Sequence, residues 1–161
     1  MNDRGGPDDA RDAARALLSQ GFFANEPDSA IRVGTPLAVM EPDRSRQHSW
    51  FVPLEVGPKL VGFVHLTNSL TPLRASSFQR QPHVYADCPA LADWIDPDRI
   101  RARAATLADG DEQLSSPFLT YDGDPSRLVW KIEAKSPGGA RRVLFVAGTA
   151  AYPEGRGRGL V

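Results

Sequence analysis

Histidine and cysteine side chains are the first candidates for chemistry in this chain. The histidines are His48, His65 and His83, and the single cysteine is Cys88. No two histidines stand four residues apart and Cys88 has no CxxC partner, whereas a zinc site takes about four N, S or O ligands. His83 and Cys88 are close in sequence, but two ligands do not complete a site. The pattern predicts no metal site and no cofactor.

The signatures of nucleophilic and phosphate chemistry are also missing from the sequence. Serine is plentiful, but no GxSxG elbow and no glycine-rich phosphate loop occurs. Cys88 precedes Pro89 near a predicted helix start, where a thiolate is favoured; the alternative is a small, semi-buried apolar residue. The turn around Asp122 and Asp124 lacks the remaining ligands of a calcium loop. We predict no catalytic residue, and the sequence leans away from an enzyme without deciding the question.

Composition places the chain among ordinary globular proteins. The chain has 161 residues, 41% of them hydrophobic and 24% charged, which fits one domain or two very small ones. A net charge of −1 provides no field to attract nucleic acid or anionic lipid. Sixteen arginines against three lysines indicate a GC-rich bacterial genome. The polar start, Met1–Asp9, and apolar stretches far short of the ~20 residues that span a bilayer predict a cytoplasmic protein.

The first half of the chain predicts one helix and three strands. An apolar stripe runs from Ala10 to Leu18 and stops at Gly21. A short edge strand follows at 37–40. The alternating segment 50–56 and the segment 60–67 then predict a hairpin.

The second half repeats this order. Asp96 predicts a helix N-cap, and an apolar stripe from Ile100 to Ala108 ends at Gly110. Strands are predicted at 118–121, 128–135 and 143–147. The fold class is therefore α+β, with antiparallel sheets and two helices arranged as two degenerate α-β-β-β halves.

Three pairs of similar segments suggest an internal repeat. The segment at Pro36 resembles that at Pro117, the strand around Leu54 resembles that around Ile132, and the strand at Phe63 resembles that at Phe145. The spacings within these pairs are similar but not equal, which implies small differences in loop length. The alternative is that any two apolar hairpins look alike. The predicted organisation is a tail at 1–6, a first unit at 7–70, a connecting segment at 71–95, a second unit at 96–153 and a flexible tail at 154–161.

This arrangement resembles the PepSY and cystatin-like small α+β domains. The resemblance is carried by helix 9–19, the edge 35–39 and the hairpin of strands 50–56 and 59–64, with a second copy in 130–134 and 142–146. It lies in element order and hairpin style, without a diagnostic motif. It implies a protein that binds or inhibits other proteins, often peptidases, and performs no chemistry. Members are commonly exported, a feature that the polar start does not share.

The connecting segment is where we expect function, because the repeat does not explain it. Exposed aromatic and arginine side chains are typical interface anchors, and the predicted binding residues are Arg74, Phe78, His83, Tyr85 and Trp94. The alternative is that Tyr85 and Trp94 fill the core between the halves. The leading hypothesis is a non-enzymatic protein-binding or regulatory module whose partner is another protein. The runner-up is a ligand-binding or enzymatic protein with a pocket lined by Trp50, Phe63, Trp130 and Phe145.

Overall fold

A computed structural model describes residues 5–21 and 30–155 of the chain. The chain divides into two compact units. Unit 1 comprises Met1–Val39 and Arg46–Leu91, and unit 2 comprises Met40–Ser45 and Ala92–Val161. Each unit carries a five-stranded antiparallel sheet, which confirms the α+β class.

Unit 1 begins with a helix and continues as strands. Its elements are α1 (Pro7–Ser19), β1 (Arg32–Val33), β2 (Leu37–Met40), β3 (Gln47–Val56), β4 (Lys59–Thr67) and β5 (Pro72–Ser77). Strands β1 and β2 both pair with β3, and β3, β4 and β5 follow one another across the sheet. Strand β5 therefore forms one edge.

Unit 2 has the same order and the same pairing, with one added helical turn. Its elements are α2 (Ala92–Ile95), α3 (Pro97–Ala105), β6 (Gln113–Leu114), β7 (Phe118–Tyr121), β8 (Leu128–Lys135), β9 (Arg141–Ala147) and β10 (Ala150–Pro153). Strands β6 and β7 both pair with β8, and β8, β9 and β10 follow one another. Each unit thus holds five strands, two more than the sequence predicted.

Up to the bulge between Leu54 and Glu55, the two central hairpins share one register at a constant spacing along the chain. Trp50 lies opposite Leu66 and Val52 opposite Val64; in unit 2, Trp130 lies opposite Val146 and Ile132 opposite Leu144. Two of the pairs matched in the sequence were therefore wrong. Ile132 stands where Val52 does rather than Leu54, and Phe145 stands where His65 does rather than Phe63. Matching by side-chain likeness missed this, because corresponding positions differ in chemistry.

One helix covers one face of the unit 1 sheet. Ala10 and Ala14 of α1 are fully buried in a cluster that includes Trp50, Val52 and Leu54. Trp50 Nε1 donates to the carbonyl of Gly5 at 3.3 Å, just before the helix, and the Gly5 N–H donates to the carbonyl of Asn68. The described part of the predicted tail at 1–6 is therefore hydrogen-bonded to the sheet, and residues 1–4 lie outside the described residues.

Unit 2 is built in the same way around α3. Asp96 caps the helix by accepting from the Asp98 N–H at 3.0 Å, as predicted. Ile100 and Ala104 are buried. The helix ends at Ala105 rather than near Gly110, and a turn follows in which the Leu107 N–H bonds to the Ala104 carbonyl. The predicted tail at 154–161 lies, beyond Glu154 and Gly155, outside the described residues.

The segment predicted as a connection at 71–95 contains regular structure. Strand β5 occupies 72–77 and α2 occupies 92–95. The sequence Pro-Leu-Arg-Ala-Ser-Ser lacks apolar alternation because an edge strand buries little of either face. No helix within residues 5–21 and 30–155 has the length and apolarity to cross a membrane.

Candidate functional site

The five predicted binding residues do not form one site. Arg74 and Phe78 lie on and just after β5, and His83 and Tyr85 lie in the loop that follows, all in unit 1. Trp94 belongs to α2 of unit 2.

Arg74 and Phe78 contact the same aromatic ring. The Arg74 guanidinium carbon lies 5.1 Å from the centre of the Phe63 ring, which is the geometry of a cation–π contact. The Phe78 ring lies 6.0 Å from Phe63. Arg74 Nε is buried and has no hydrogen-bond partner among the described residues. The Arg74 guanidinium therefore packs over the Phe63 ring, while its Nε–H makes no hydrogen bond among the described residues.

Tyr85 has a mainly structural position in unit 1. Its side chain packs against the hydrophobic cluster under α1, and its carbonyl accepts from the Cys88 N–H at 3.0 Å. Burial raises the pKa of the Cys88 thiol, so this cysteine is held in its neutral form rather than as a reactive thiolate. His83 is exposed, and its N–H donates to Gln79 Oε1 at 3.1 Å.

Trp94 also has a structural role, within unit 2. Its carbonyl accepts from Trp130 Nε1 at 2.7 Å. Its ring lies over Gly148, where an added Cβ would come within 3.1 Å of the indole and where φ is +59°. Trp94 thus fixes the entry to α3 against the sheet.

A polar cluster that the sequence did not predict lies on the unit 1 sheet. Ser49 Oγ and His65 Nε2 are 2.6 Å apart, and His48 Nδ1 lies 2.8 Å from the same hydroxyl. The register brings them together, since Phe51 pairs with His65 and Ser49 is two residues before Phe51 on the same face. Ser49 is completely buried and His65 is 2% exposed.

The environment keeps His65 neutral. Burial, followed by the charges of His48 and Arg74, lowers the pKa of His65 to about 4. Arg74 lies directly opposite His65 in the β4–β5 pairing. The Ser49–His65 pair has the atom types of a nucleophile and a base. Complete burial of Ser49 and the weak basicity of His65 disfavour that chemistry at neutral pH.

Unit 2 carries a different set at the corresponding positions. In the shared hairpin register, His48, Ser49 and His65 correspond to Leu128, Val129 and Phe145. Arg74 pairs with His65 as Tyr152 pairs with Phe145. The polar cluster is therefore specific to unit 1, and an alignment of the two halves at one fixed spacing is the signal that would have found it.

Arg74 of unit 1 and the corresponding Tyr152 of unit 2 also have different surroundings. Tyr152 donates to Asp122 Oδ2 at 2.9 Å. No described carboxylate is bonded to Arg74, whose contact is the Phe63 ring. Among the described residues, unit 1 thus presents a cation without a counterion where unit 2 has a satisfied hydrogen bond.

The pocket proposed from the sequence is incompatible with the register. In unit 1, Phe63 contacts Phe51, the neighbour of Trp50, so Trp50 and Phe63 lie on opposite faces of the sheet. In unit 2, Trp130 pairs with Val146, so Trp130 and Phe145 also lie on opposite faces. A depression on unit 2 is instead open and charged, and is lined by Asp98, Arg101, Ala102, Ala105, Glu112, Gln113 and Leu114.

No group of three or more histidine, cysteine, aspartate or glutamate residues within 5–21 and 30–155 is arranged to hold a metal ion. Comparison with protein-family models, with curated proteins and with solved structures gives no match.

Proposed function

We propose that this chain is a non-enzymatic protein-binding module that uses strand β5 of unit 1 as its docking edge. In this proposal, such binding serves a regulatory or inhibitory role. The observation that carries the proposal is the exposed edge at Leu73, beside the cation at Arg74.

The geometry of β5 supports docking of an extended segment. Strand β5 pairs with β4 on one side and ends the strand order of its sheet. Its outer edge offers main-chain N–H and C=O groups that an added strand can pair with. Leu73 is the extra residue of a bulge between the pairs His65–Arg74 and Leu66–Pro72. A bulge re-aims its side chain, and Leu73 is 52% exposed.

The exposed large apolar side chains of the described residues both belong to unit 1. Leu73 and Val84 are the exposed large hydrophobic side chains among the described residues, at 52% and 42%. Single exposed apolar residues are ordinary on protein surfaces. Their position on and after an edge strand, next to an arginine, is what favours a docking surface.

The proposal includes duplication of an ancestral unit. Shared strand order, shared pairing and the constant spacing of the hairpins support it. In this interpretation unit 2 keeps apolar side chains at Leu128, Val129 and Phe145, while unit 1 has acquired the polar cluster. The resemblance to PepSY and cystatin-like domains, whose members bind proteins, is consistent with this proposal.

Site-specific cross-linking tests the docking edge. A photo-reactive amino acid is placed at Leu73, and a matched control carries it at the exposed Ala150 of β10, the corresponding edge of unit 2. We expect one protein adduct from position 73 in extract of the native host. Unlabelled wild-type protein should compete it away, and unlabelled Leu73→Asp protein should not. Equal adducts from both positions, or equal competition by the two proteins, would refute the proposal.

A further inference from the structure

Arg74 carries an unmet demand for a hydrogen-bond acceptor. Its side chain is half-buried, its Nε is fully buried without a partner among the described residues, and its guanidinium is held over Phe63 at 5.1 Å. A partly desolvated cation is costly unless an acceptor compensates it. Because Arg74 lies on the edge strand β5, a molecule bound at that edge can supply an acceptor to the outer part of its half-buried guanidinium, beyond the buried Nε.

The described surroundings of Arg74 contain histidine rings and no bonded carboxylate. His65 lies opposite Arg74 across the β4–β5 pairing, and the His48 and His65 ring centres are 6.2 Å apart. No carboxylate is bonded to Arg74, Ser49 or His65 within the described part of the chain. The corresponding place in unit 2 has a carboxylate, Asp122, bonded to Tyr152. Among the described residues Arg74 thus has no anionic partner, and an anionic oxygen is the acceptor that best matches its positive charge.

We infer that Arg74, with His65 beside it, forms a subsite for a carboxylate on an extended partner segment that adds to β5. This inference rests on the proposed docking function. The terminal Nη1 and Nη2 groups of the guanidinium, rather than the buried Nε, offer the N–H groups that pair with the two oxygens of a carboxylate. A single formal charge with a neutral histidine suits a monoanion such as a glutamate or aspartate side chain.

Two matched peptides test the subsite on the full chain. One is a capped pentapeptide of alternating threonine and valine with a central glutamate, and the other has glutamine in its place. We expect the glutamate peptide to bind about tenfold tighter, the size of one charge-assisted hydrogen bond. Bound carboxylate should also raise the pKa of His65, followed by imidazole NMR, because it offsets the charge of Arg74.

Two arginine variants locate the effect. Arg74→Gln should remove the preference for glutamate, whereas Arg80→Gln, which removes an exposed charge nearby in sequence, should retain it. Equal binding of the two peptides to the wild-type protein would overturn the subsite while leaving the docking edge intact. Failure of both peptides to bind would also overturn it, and cross-linking at Leu73 judges the docking function separately.

Titration with a free carboxylate distinguishes a carboxylate on a partner segment from a small carboxylate in solution. Sodium acetate is titrated under the same conditions as the glutamate peptide. We expect acetate to raise the pKa of His65 far less than the glutamate peptide does, because acetate lacks the main chain that pairs with β5. If acetate raises the pKa of His65 as much as the glutamate peptide does at equal concentration, the ligand is a small carboxylate, and the inference of a partner segment is wrong.

Discussion

Ser49 Oγ and His65 Nε2 lie 2.6 Å apart on neighbouring strands of unit 1, with almost no exposed surface on either residue. The corresponding residues of unit 2 are Val129 and Phe145. Two apolar positions of one unit are thus a hydrogen-bonded polar pair in the other. A hydrogen-bonded pair in a sheet interior is strongly interdependent, because loss of one partner leaves the other buried and unsatisfied.

Stability should depend on pH through His65. Its pKa is about 4 in the folded chain and 6.5 when exposed, so the unfolded state binds more protons between these values. The stabilisation is complete above pH 6.5 and is lost as pH falls towards 4. We expect the free energy of unfolding to fall by at most about 3 kcal/mol over this range. Urea unfolding at a series of pH values measures it.

A matched variant separates His65 from the other groups that titrate. His65→Phe, the residue found at this place in unit 2, should flatten the pH dependence, whereas His83→Gln on the exposed loop should preserve it. If the free energy of unfolding of His65→Phe changes with pH as steeply as that of the wild-type protein, another group is responsible.

The Ser49–His65 pair should show strong coupling in a double-mutant cycle. Ser49→Val alone leaves the buried His65 Nε2 without its partner, and we expect a loss of about 1–3 kcal/mol. The double variant Ser49→Val/His65→Phe installs the pair that unit 2 uses. Its loss should be smaller than the sum of the single losses by about 0.5–3 kcal/mol. Additive losses in urea unfolding would mean that the hydrogen bond contributes little.

Trp50 and Trp130 should respond alike to removal of their indole N–H. Each donates to a main-chain carbonyl near the start of its covering helix, Gly5 at 3.3 Å and Trp94 at 2.7 Å. Replacement by phenylalanine should cost about 1–2 kcal/mol in either unit, from the lost hydrogen bond and the smaller ring. Hydrogen exchange should place the effect in unit 1 for Trp50→Phe and in unit 2 for Trp130→Phe. An effect confined to one variant would contradict equivalent roles.

The ion pair of Glu112 with Arg142 should support unit 2 at neutral pH. Arg142 donates through Nε and Nη2 to both carboxylate oxygens, at 2.6–3.2 Å, and also to the Leu107 carbonyl. The hydrogen bonds from Arg142, with a further one from the Asp109 N–H, lower the pKa of Glu112 to about 2. Its stabilisation is present above the ordinary value of 4.5 and is lost as pH falls towards 2.

Glu112→Gln tests this ion pair. The variant should have a lower melting temperature than the wild-type protein at pH 7. The difference between the two melting temperatures should narrow between pH 5 and pH 2. Glu133→Gln, at an exposed position of β8, provides a control in the same unit. A gap that stays constant with pH would show that the amide disturbs packing rather than charge pairing.

Local sequence determined the helix starts and the central hairpins. Asp96 before Pro97 and Asp98 specifies a cap through contacts only two residues away, and the structure has that cap. Alternation in 128–135 matches a strand whose two faces differ in burial, so that strand was predictable. The strand predicted at 50–56 is also present, but it is buried on both faces.

The pairing register of β3, β4 and β5, which only the tertiary structure decides, brings the residues of the site together. Strand β3 meets β4 with a bulge between Leu54 and Glu55, and this sets which residues face Ser49. A slip of one residue would send His65 to the opposite face, and nothing local to His65 fixes that choice. Strand β5 was hidden for a related reason, since its pairing with β4 and the bulge at Leu73, rather than apolar alternation, make it a strand. The sequence therefore determined the helix starts and the central strands, while pairing between strands placed Ser49, His65 and Arg74 together.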